Sequence, residues 1–258
     1  MSSATITVAD EASIRTITLN RPERRNAITP EMQEELIAAL ENAAADRCRV
    51  VVLRGVGDAF CSGLDLQALN NPSGEVPANH QANAERIAQL FRTLYELPMP
   101  TIAAVHGAAM AGGAGLAICC DFTVAVPAAK FGFPEVRIGF VPALVSVFLA
   151  LQIGDKRTRD ILLTGRHFDA AEAHRLGIVN EIVAPESLMD RVGALAQTLA
   201  ANSPESLAAT KRLMAAQHKK WLDSAITSAI EASAQARETE DFREGLAAYL
   251  EKRKPVWS

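Results

Sequence analysis

Alternating apolar and polar positions open the chain and predict a pair of strands. Residues 5–8 and 14–19 alternate with a period of two, and the polar segment 10–13 between them suits a hairpin turn. Thr29 then has the features of a helix N-cap, since Pro30 follows it at the first helical position. Apolar residues recur after it at helical spacing: Met32, Leu36, Leu40 and Ala43. A hairpin followed by an amphipathic helix is the expected start of the fold.

Two apolar, β-branched segments, 49–54 and 101–105, have the pattern of buried strands. Each is followed by a glycine-containing stretch, 59–66 and 106–121, that leads towards a helix. A strand, a glycine turn and a helix N-terminus together present unpaired backbone N–H groups and a positive dipole end. Tightly packed corners that need small residues are the alternative. Two such turns side by side could hold one oxygen atom between them.

The rest of the chain adds further strands and then becomes helical. A polar loop is expected at 70–80, and the apolar helix after it stops before Pro98. The segment 131–139 is irregular and is expected to line a pocket. The further elements are a strand at 122–126, helices at 143–151, 155–163 and 169–175, a strand at 178–183, and helices near 186–201, 204–218, 222–239 and 241–251. This order indicates an α/β core at 1–195 and a helical oligomerisation subdomain at 196–258.

Composition excludes several classes of function. The 258 residues carry a formal net charge of −4, which gives no basic field for a nucleic acid. No apolar run is long enough to cross a bilayer, and no signal-peptide core is visible, so we expect neither a membrane partner nor secretion. The four cysteines lack metal-ligand spacing and are expected to be buried small hydrophobes in a reducing compartment, the cytoplasm. No metal site is expected.

An ordered set of motifs resembles the crotonase (enoyl-CoA hydratase/isomerase) superfamily over essentially the whole chain. The motifs that carry the resemblance are residues 20–27, 59–66, 105–121, 131–142, 176–180 and 251–257. The resemblance implies a crotonase-like spiral of ββα units with a C-terminal helical trimerisation region, assembled as a homo-trimer or hexamer. It also implies an acyl-CoA thioester substrate and no cofactor, since CoA is part of the substrate.

The resemblance implies that the chemistry depends on an enolate, whose charge lies on the thioester oxygen. It assigns two backbone N–H donors for that oxygen to Leu64 and Gly112, and preorganised donors of this kind need no rearrangement as charge develops. Glu135 matches the position of the catalytic glutamate. A semi-buried carboxylate there would have its pKa raised towards the range of a general base. A salt bridge from Glu135 to Arg137 is the alternative.

Position 115 separates the activities within the family. Hydratases of the family carry a second glutamate there, whereas this chain has Gly115. With one carboxylate, migration of a double bond is favoured, and hydration of a 2-enoyl-CoA is the alternative. Dienoyl isomerases carry an aspartate where this chain has Ala143, so that subclass is disfavoured. A non-catalytic CoA-binding homologue is a further alternative, against which Glu135 argues.

Coenzyme contacts are implied by the same resemblance. They fall on Arg25 and Asp65 near the nucleotide, and on Tyr249 and Lys252, which would reach a neighbouring subunit's ligand. A solvated C-terminal charge run is an equally good account of Lys252. His106 and Asp121 could suggest a hydrolase, but no Gly-x-Ser-x-Gly nucleophile turn is present, and His106 is expected to be a packed histidine.

Overall fold

The chain folds into two sheets surrounded by helices, and the computed structural model describes residues 4–46, 48–69 and 80–257. The strands are β1 (Ile6–Glu11), β2 (Ile14–Leu19), β3 (Val50–Gly55), β4 (Ala59–Cys61), β5 (Thr101–Val105), β6 (Ala108–Met110), β7 (Phe122–Ala125), β8 (Lys130–Gly132), β9 (His167–Asp169) and β10 (Glu181–Ile182). The helices are α1 (Pro30–Ala45), α2 (Leu66–Leu69), α3 (His80–Glu96), α4 (Gly112–Cys119), α5 (Ala143–Ile153), α6 (Asp155–Thr164), α7 (Ala170–Leu176), α8 (Leu188–Ala200), α9 (Pro204–Ala236) and α10 (Glu240–Leu250).

The larger sheet contains the strands that the sequence pattern predicts. Its order is β1-β2-β3-β5-β7-β10, and every pair except the N-terminal hairpin is parallel. β3 and β5 are buried almost throughout, as expected for parallel strands covered on both faces. The predicted hairpin and the α/β core are therefore confirmed. The predicted loop at 70–80 lies outside the described residues, except for His80, which begins α3.

A second, smaller sheet was not predicted from the sequence. Its order is β4-β6-β8-β9, and it is built from strands of three residues each. β4 and β6 lie within the two glycine-containing stretches and pair with each other in parallel. Strands this short show too little alternation to be recognised from sequence. The sheet places the two glycine turns side by side, as two N–H donors to one oxygen atom would require.

The C-terminal region differs from the prediction in one helix. We expected helices at 204–218 and 222–239, but α9 runs without interruption from Pro204 to Ala236. The residues between the two predicted helices, 219–221, are two lysines and a tryptophan, with no glycine or proline to end a helix. The Ser203 side chain caps its start by accepting a hydrogen bond from the Ser206 N–H at 3.3 Å.

Helix α9 packs against α3 and α5 of the core. An ion pair between Arg92 on α3 and Asp223 on α9 strengthens this contact. The predicted division between 1–195 and 196–258 falls inside α8, and the chain leaves that helix at Ala201. The division into two units stays a prediction. In the part of the chain that the structure describes, no helix combines the length and apolarity that crossing a membrane requires.

Candidate active site

The first glycine turn leaves the backbone N–H of Leu64 unpaired. The Ile28 N–H donates to the Gly63 carbonyl at 2.8 Å, and the Asp65 N–H donates to the Ile28 carbonyl at 3.0 Å. These two bonds hold the chain on both sides of Leu64, whose own N–H has no backbone acceptor among the described residues. Gly63 has φ +92°, and a Cβ on it would lie 2.8 Å from the Ala111 Cβ. The turn therefore requires glycine both for its conformation and for its close approach to the second turn.

Asn26 fastens the first turn to the neighbouring segment of the chain. The side chain is fully buried. Its Nδ2 donates to the carbonyls of Val56 at 2.9 Å and Ala59 at 2.8 Å, while its Oδ1 accepts from the Arg21 N–H at 2.9 Å. The motif at 20–27 was singled out from the sequence, but no positioning role was given to Asn26. An asparagine whose donors and acceptor are all used inside the protein fixes the backbone that leads to Leu64.

The second turn supplies the other donor. Gly112 is the first residue of α4, so its N–H has no acceptor within the helix and lies at the positive end of the helix dipole. Ala111 before it has φ +49°, and the Ala111 N–H donates to the Gly132 carbonyl at 2.8 Å. A Cβ on Gly112 would lie 3.9 Å from the Leu64 nitrogen. The two predicted donors therefore lie close together, as the binding of one oxygen atom by both would require.

Glu135 begins a 3-10 turn, Glu135–Ile138, and one oxygen of its buried carboxyl has no hydrogen-bond partner. The residue is 8% exposed, and its Oε2 accepts no hydrogen bond. Burial removes water from the carboxylate and raises the pKa of Glu135 to about 7, against an ordinary value of 4.5. Within the described residues no ion pair links Glu135 to Arg137, and Arg137 is not among the causes of the shifted pKa, so the salt-bridge alternative is not supported. A buried carboxyl with this pKa can both take up and release a proton near neutral pH.

A cavity of about 490 Å³ joins these groups, and Leu64, Gly112 and Glu135 all line it. Most of the remaining wall is apolar and comes from α3, α5 and the segment that follows Glu135. Its members include Ala84, Ile87, Phe91, Ile138, Phe140, Val141, Leu144 and Val145. Of the described residues in this wall, Glu135 is the only carboxylate. The cavity thus brings together the two predicted oxyanion donors, the predicted acid–base group and an apolar space.

The wall is already filled at position 115. A Cβ on Gly115 would lie 2.5 Å from Phe91 Cζ and 2.9 Å from Val145 Cγ1. Both of those residues line the cavity, whereas Gly115 itself does not, and the Phe91 ring takes the space that a side chain at position 115 would need. Phe91 is itself held edge-on against Phe148, with ring centroids 6.1 Å apart. The space that a second carboxylate would need is therefore filled by packed side chains and is not empty.

The predicted coenzyme residues fall into two groups. Arg25 and Tyr249 are exposed and line the cavity. Asp65 is absent from the wall: its carboxylate accepts from Arg21 Nη1 at 3.1 Å and from the Gln67 N–H at 3.1 Å. Lys252 follows α10 at φ +57° and also lies outside the wall. The coenzyme roles of all four residues stay predictions.

The two residues that could suggest a hydrolase are used elsewhere. His106 Nε2 lies 2.8 Å from the Gly57 carbonyl oxygen. Asp121 accepts from Thr101 and from Lys211 Nζ, the latter at 2.6 Å. They do not pair with each other and do not line the cavity. Across the described ranges, no three His, Cys, Asp or Glu side chains lie together as metal ligands would.

Two residues of the wall were not identified from the sequence. Phe91 was expected only on the apolar face of its helix, although a glycine opposite a large ring is a signal of close packing. Arg237 lies within the predicted helix 222–239 and lines the cavity. The apolar stripe Leu222, Ile226, Ala229, Ile230 and Ser233 continues at helical spacing to Arg237. An arginine at the end of an apolar stripe could have marked a buried cation.

Comparison with known proteins finds relatives that match nearly the whole chain. The family model for enoyl-CoA hydratase/isomerase matches residues 9–258. A Thermus thermophilus protein assigned as an enoyl-CoA hydratase is 43% identical over 247 residues, covering 95% of this chain and 98% of that protein. The 1,2-epoxyphenylacetyl-CoA isomerase of Escherichia coli is 33% identical over 251 residues, covering 96% of each chain.

Solved structures show the same fold. The crystal structure of an enoyl-CoA hydratase from Mycobacterium avium superposes with a TM-score of 0.87 at 32% identity, over the full length of both chains. The expected crotonase fold is therefore confirmed.

Proposed function

The chain belongs to the enoyl-CoA hydratase/isomerase family, and we propose that within it the protein is an enoyl-CoA isomerase with Glu135 as its single acid–base group. The observation that carries the proposal is the wall of the cavity. Glu135 is the only carboxylate among the described residues there, and the Phe91 ring fills the place of a second one. A reaction that needs one carboxylate fits this site better than a reaction that needs two.

The proposed reaction is the conversion of a 3-enoyl-CoA into a 2-enoyl-CoA. The thioester oxygen accepts hydrogen bonds from the Leu64 and Gly112 N–H groups, and the Glu135 carboxylate removes a proton from C2. The electron pair of that C–H bond delocalises towards the thioester oxygen, where the two donors stabilise the dienolate. Protonated Glu135 then gives the proton to C4. The double bond has thereby shifted from C3–C4 to C2–C3. A pKa of about 7 suits both steps, since the same group must accept and then donate.

Hydration of a 2-enoyl-CoA is the alternative, and the names of the similar proteins favour it. Several of them, including the 43% identical Thermus protein, are assigned as hydratases. Hydration requires a water molecule to be held and deprotonated while C2 receives a proton. One glutamate would have to do both, with no second carboxylate to share the water. The isomerase assignment therefore rests on Gly115 and Phe91. Analysis of the products distinguishes isomerisation from hydration.

The proposal extends to ligand and assembly. The exposed Arg25 at the cavity is the candidate for the coenzyme's phosphate charge, and no cofactor beyond the CoA of the substrate is needed. We expect a homo-trimer or hexamer in the cytoplasm, as the family resemblance implies. A purely CoA-binding homologue has no use for a buried carboxylate with an oxygen that accepts no hydrogen bond, which is costly to retain.

The decisive variant is Glu135→Gln, measured with 3-hexenoyl-CoA by formation of the conjugated 2-enoyl product. Removing a general base lowers turnover by about 10²–10⁴-fold. Binding of the unreactive hexanoyl-CoA should be unchanged, because the amide fills the same volume. Glu186→Gln is the matched control, since Glu186 is exposed and lies away from the cavity. A Glu135→Gln protein that folds and retains full turnover would contradict the assignment.

A further inference from the structure

One cation is buried in the wall of the cavity without a carboxylate partner. Arg237 follows the last turn of α9 and is 5% exposed. Its Nη2 donates to Asn83 Oδ1 at 3.0 Å, and its guanidinium lies 5.5 Å from the centre of the Phe140 ring. Its Nε has no hydrogen-bond partner. Asn83 is a neutral acceptor, so the charge of this arginine is uncompensated among the described residues.

The other cations of the wall are in a different situation. Arg25 and Arg137 are exposed, where water compensates their charge. Arg253 is paired with Glu244. Arg237 is therefore the buried, unpaired cation of the described wall, and its position inside the cavity needs an explanation of its own.

The surroundings of Arg237 do not supply that explanation. Desolvation and, after it, the charge of Arg237 lower the pKa of His80, against a smaller opposing effect of Glu238, and a histidine can supply no negative charge. Glu238, the next residue in the chain, is exposed. Burial lowers the pKa of Arg237 to about 10, which leaves the guanidinium protonated at neutral pH. A buried, unpaired charge is unfavourable, and a site commonly retains one because a ligand neutralises it.

The position of Arg237 indicates which part of a ligand it would meet. Phe140, on which the guanidinium lies, donates its N–H to the Glu135 carbonyl at 3.0 Å, so Arg237 borders the catalytic segment. The apolar side chains of Ala84 and Ile87 line the same cavity. An acyl chain that starts at the oxyanion donors would run along these side chains. Coenzyme phosphates would instead remain hydrated near exposed residues such as Arg25.

Ser233 adds a second polar group on the same face of α9. It precedes Arg237 by one helical turn, is 5% exposed and lines the cavity. No hydrogen bond joins its hydroxyl to another described residue. A hydroxyl and a guanidinium on one helix face form a set of donors that matches a carboxylate, which accepts at both oxygens.

We propose that Arg237 and Ser233 bind a carboxylate at the far end of the acyl group, so that the preferred substrates are CoA thioesters of unsaturated dicarboxylic acids. This rests on the proposed function only in taking CoA thioesters as the ligand class. The guanidinium would form a paired set of hydrogen bonds with the carboxylate, and Ser233 would donate one more. An acyl group that ends in a methyl would leave the guanidinium unpaired.

Binding of saturated thioesters tests the inference without any turnover. The probes are hexanoyl- and octanoyl-CoA, compared with their ω-carboxylated counterparts adipoyl- and suberoyl-CoA, titrated by calorimetry. We expect at least one diacid to bind roughly 10–100-fold more tightly than the monoacid of equal length, the range for hydrogen bonds to a charged group. Arg237→Met should remove this preference while leaving monoacid binding equal or tighter. Arg237→Lys, which keeps the charge but not the planar fork, should retain part of it.

Arg212→Met is the matched control, because Arg212 is an exposed arginine of the same helix and lies outside this cavity. It should leave the diacid preference intact. A parent protein that binds every monoacid at least as tightly as its diacid would overturn the inference, whether or not Arg237→Met folds. An Arg237→Met protein that folds and loses affinity equally for both series would assign Arg237 a structural role only.

The outcome is independent of the reaction catalysed. A protein that hydrates 2-enoyl-CoA yet prefers diacids would contradict the isomerase proposal and support this one. A protein that isomerises 3-enoyl thioesters of monoacids and rejects diacids would support the isomerase proposal and contradict this one.

Discussion

The contact between Gly115 and Phe91 allows a quantitative prediction of how Gly115→Ala changes the stability of the protein. Replacing a glycine inside a helix by alanine normally stabilises a protein by about 1 kcal/mol. At position 115 the new Cβ would lie 2.5 Å from Phe91 Cζ, closer than real Cβ atoms approach their neighbours. Overpacking of this kind costs about 1–3 kcal/mol. We therefore expect Gly115→Ala to lose its helical advantage and to be neutral or destabilised by up to about 2 kcal/mol.

Gly193 provides the matched control for this comparison. It also lies inside a helix, α8, but a Cβ on it would meet nothing within 4 Å. Gly193→Ala should be stabilised by about 0.5–1 kcal/mol in urea unfolding. Phe91→Leu removes the ring atoms that a Cβ at 115 would touch, so Gly115→Ala should cost less in that background. Equal stability changes for Gly115→Ala and Gly193→Ala, or additive costs in the double variant, would refute the reasoning.

The same contact governs the attempt to restore a second acid. Gly115→Glu alone must displace Phe91 and bury a charge, so we expect a destabilised protein with little gain in hydration. Gly115→Glu combined with Phe91→Leu opens the space. It should raise the ratio of water addition to double-bond migration, although two nearby carboxylates raise one another's pKa and limit the rate. A ratio that stays unchanged in a folded double variant would show that the second carboxylate is not what separates the two activities.

Four further predictions follow from the site and the fold. Gly112→Pro removes one oxyanion donor and should lower turnover by about 10²–10³-fold with the circular dichroism spectrum retained, whereas a folded, fully active variant would exclude this donor. The kcat/KM should rise tenfold per pH unit up to the Glu135 pKa of about 7 and then level off, because the carboxylate form is the base. In unfolding experiments the raised pKa stabilises the folded state below pH 4.5, and this contribution should be lost as pH rises through about 7; Glu135→Gln should remove that dependence. The full-length protein should sediment as a trimer or larger, and a stable, active monomer would contradict the expected assembly.

The sequence was most informative where its signals are local. The alternation at 14–19 and the apolar run at 101–105 predict β2 and β5, because strand burial follows from the side-chain pattern. The glycine turns around Leu64 and Gly112 were also recognised, because each glycine-containing stretch follows a predicted strand in the sequence. The three-residue strands that set these turns side by side carry no such pattern, and their pairing depends on contacts distant in sequence.

The side chains that meet around the cavity were harder to predict from the sequence. Gly115 was noted as a missing glutamate, but the Phe91 ring that occupies its space comes from a different helix. Arg237 is separated from Asn83, its hydrogen-bond partner, by more than 150 positions, and the raised pKa of Glu135 depends on the same tertiary burial. Sequence periodicity identifies which face of a helix is buried, whereas which side chains meet there is decided by packing.

The most direct test of the central claim is product analysis of the unmodified protein with 3-hexenoyl-CoA and crotonyl-CoA under identical conditions. With Glu135 as the only carboxylate in the described wall, we expect rapid conversion of 3-hexenoyl-CoA into the 2-enoyl isomer. Formation of 3-hydroxybutyryl-CoA from crotonyl-CoA should be slower by orders of magnitude. Hydration of crotonyl-CoA with a kcat in the range of a good enzyme, about 10–10³ per second, would show that one glutamate is enough and would contradict the isomerase assignment.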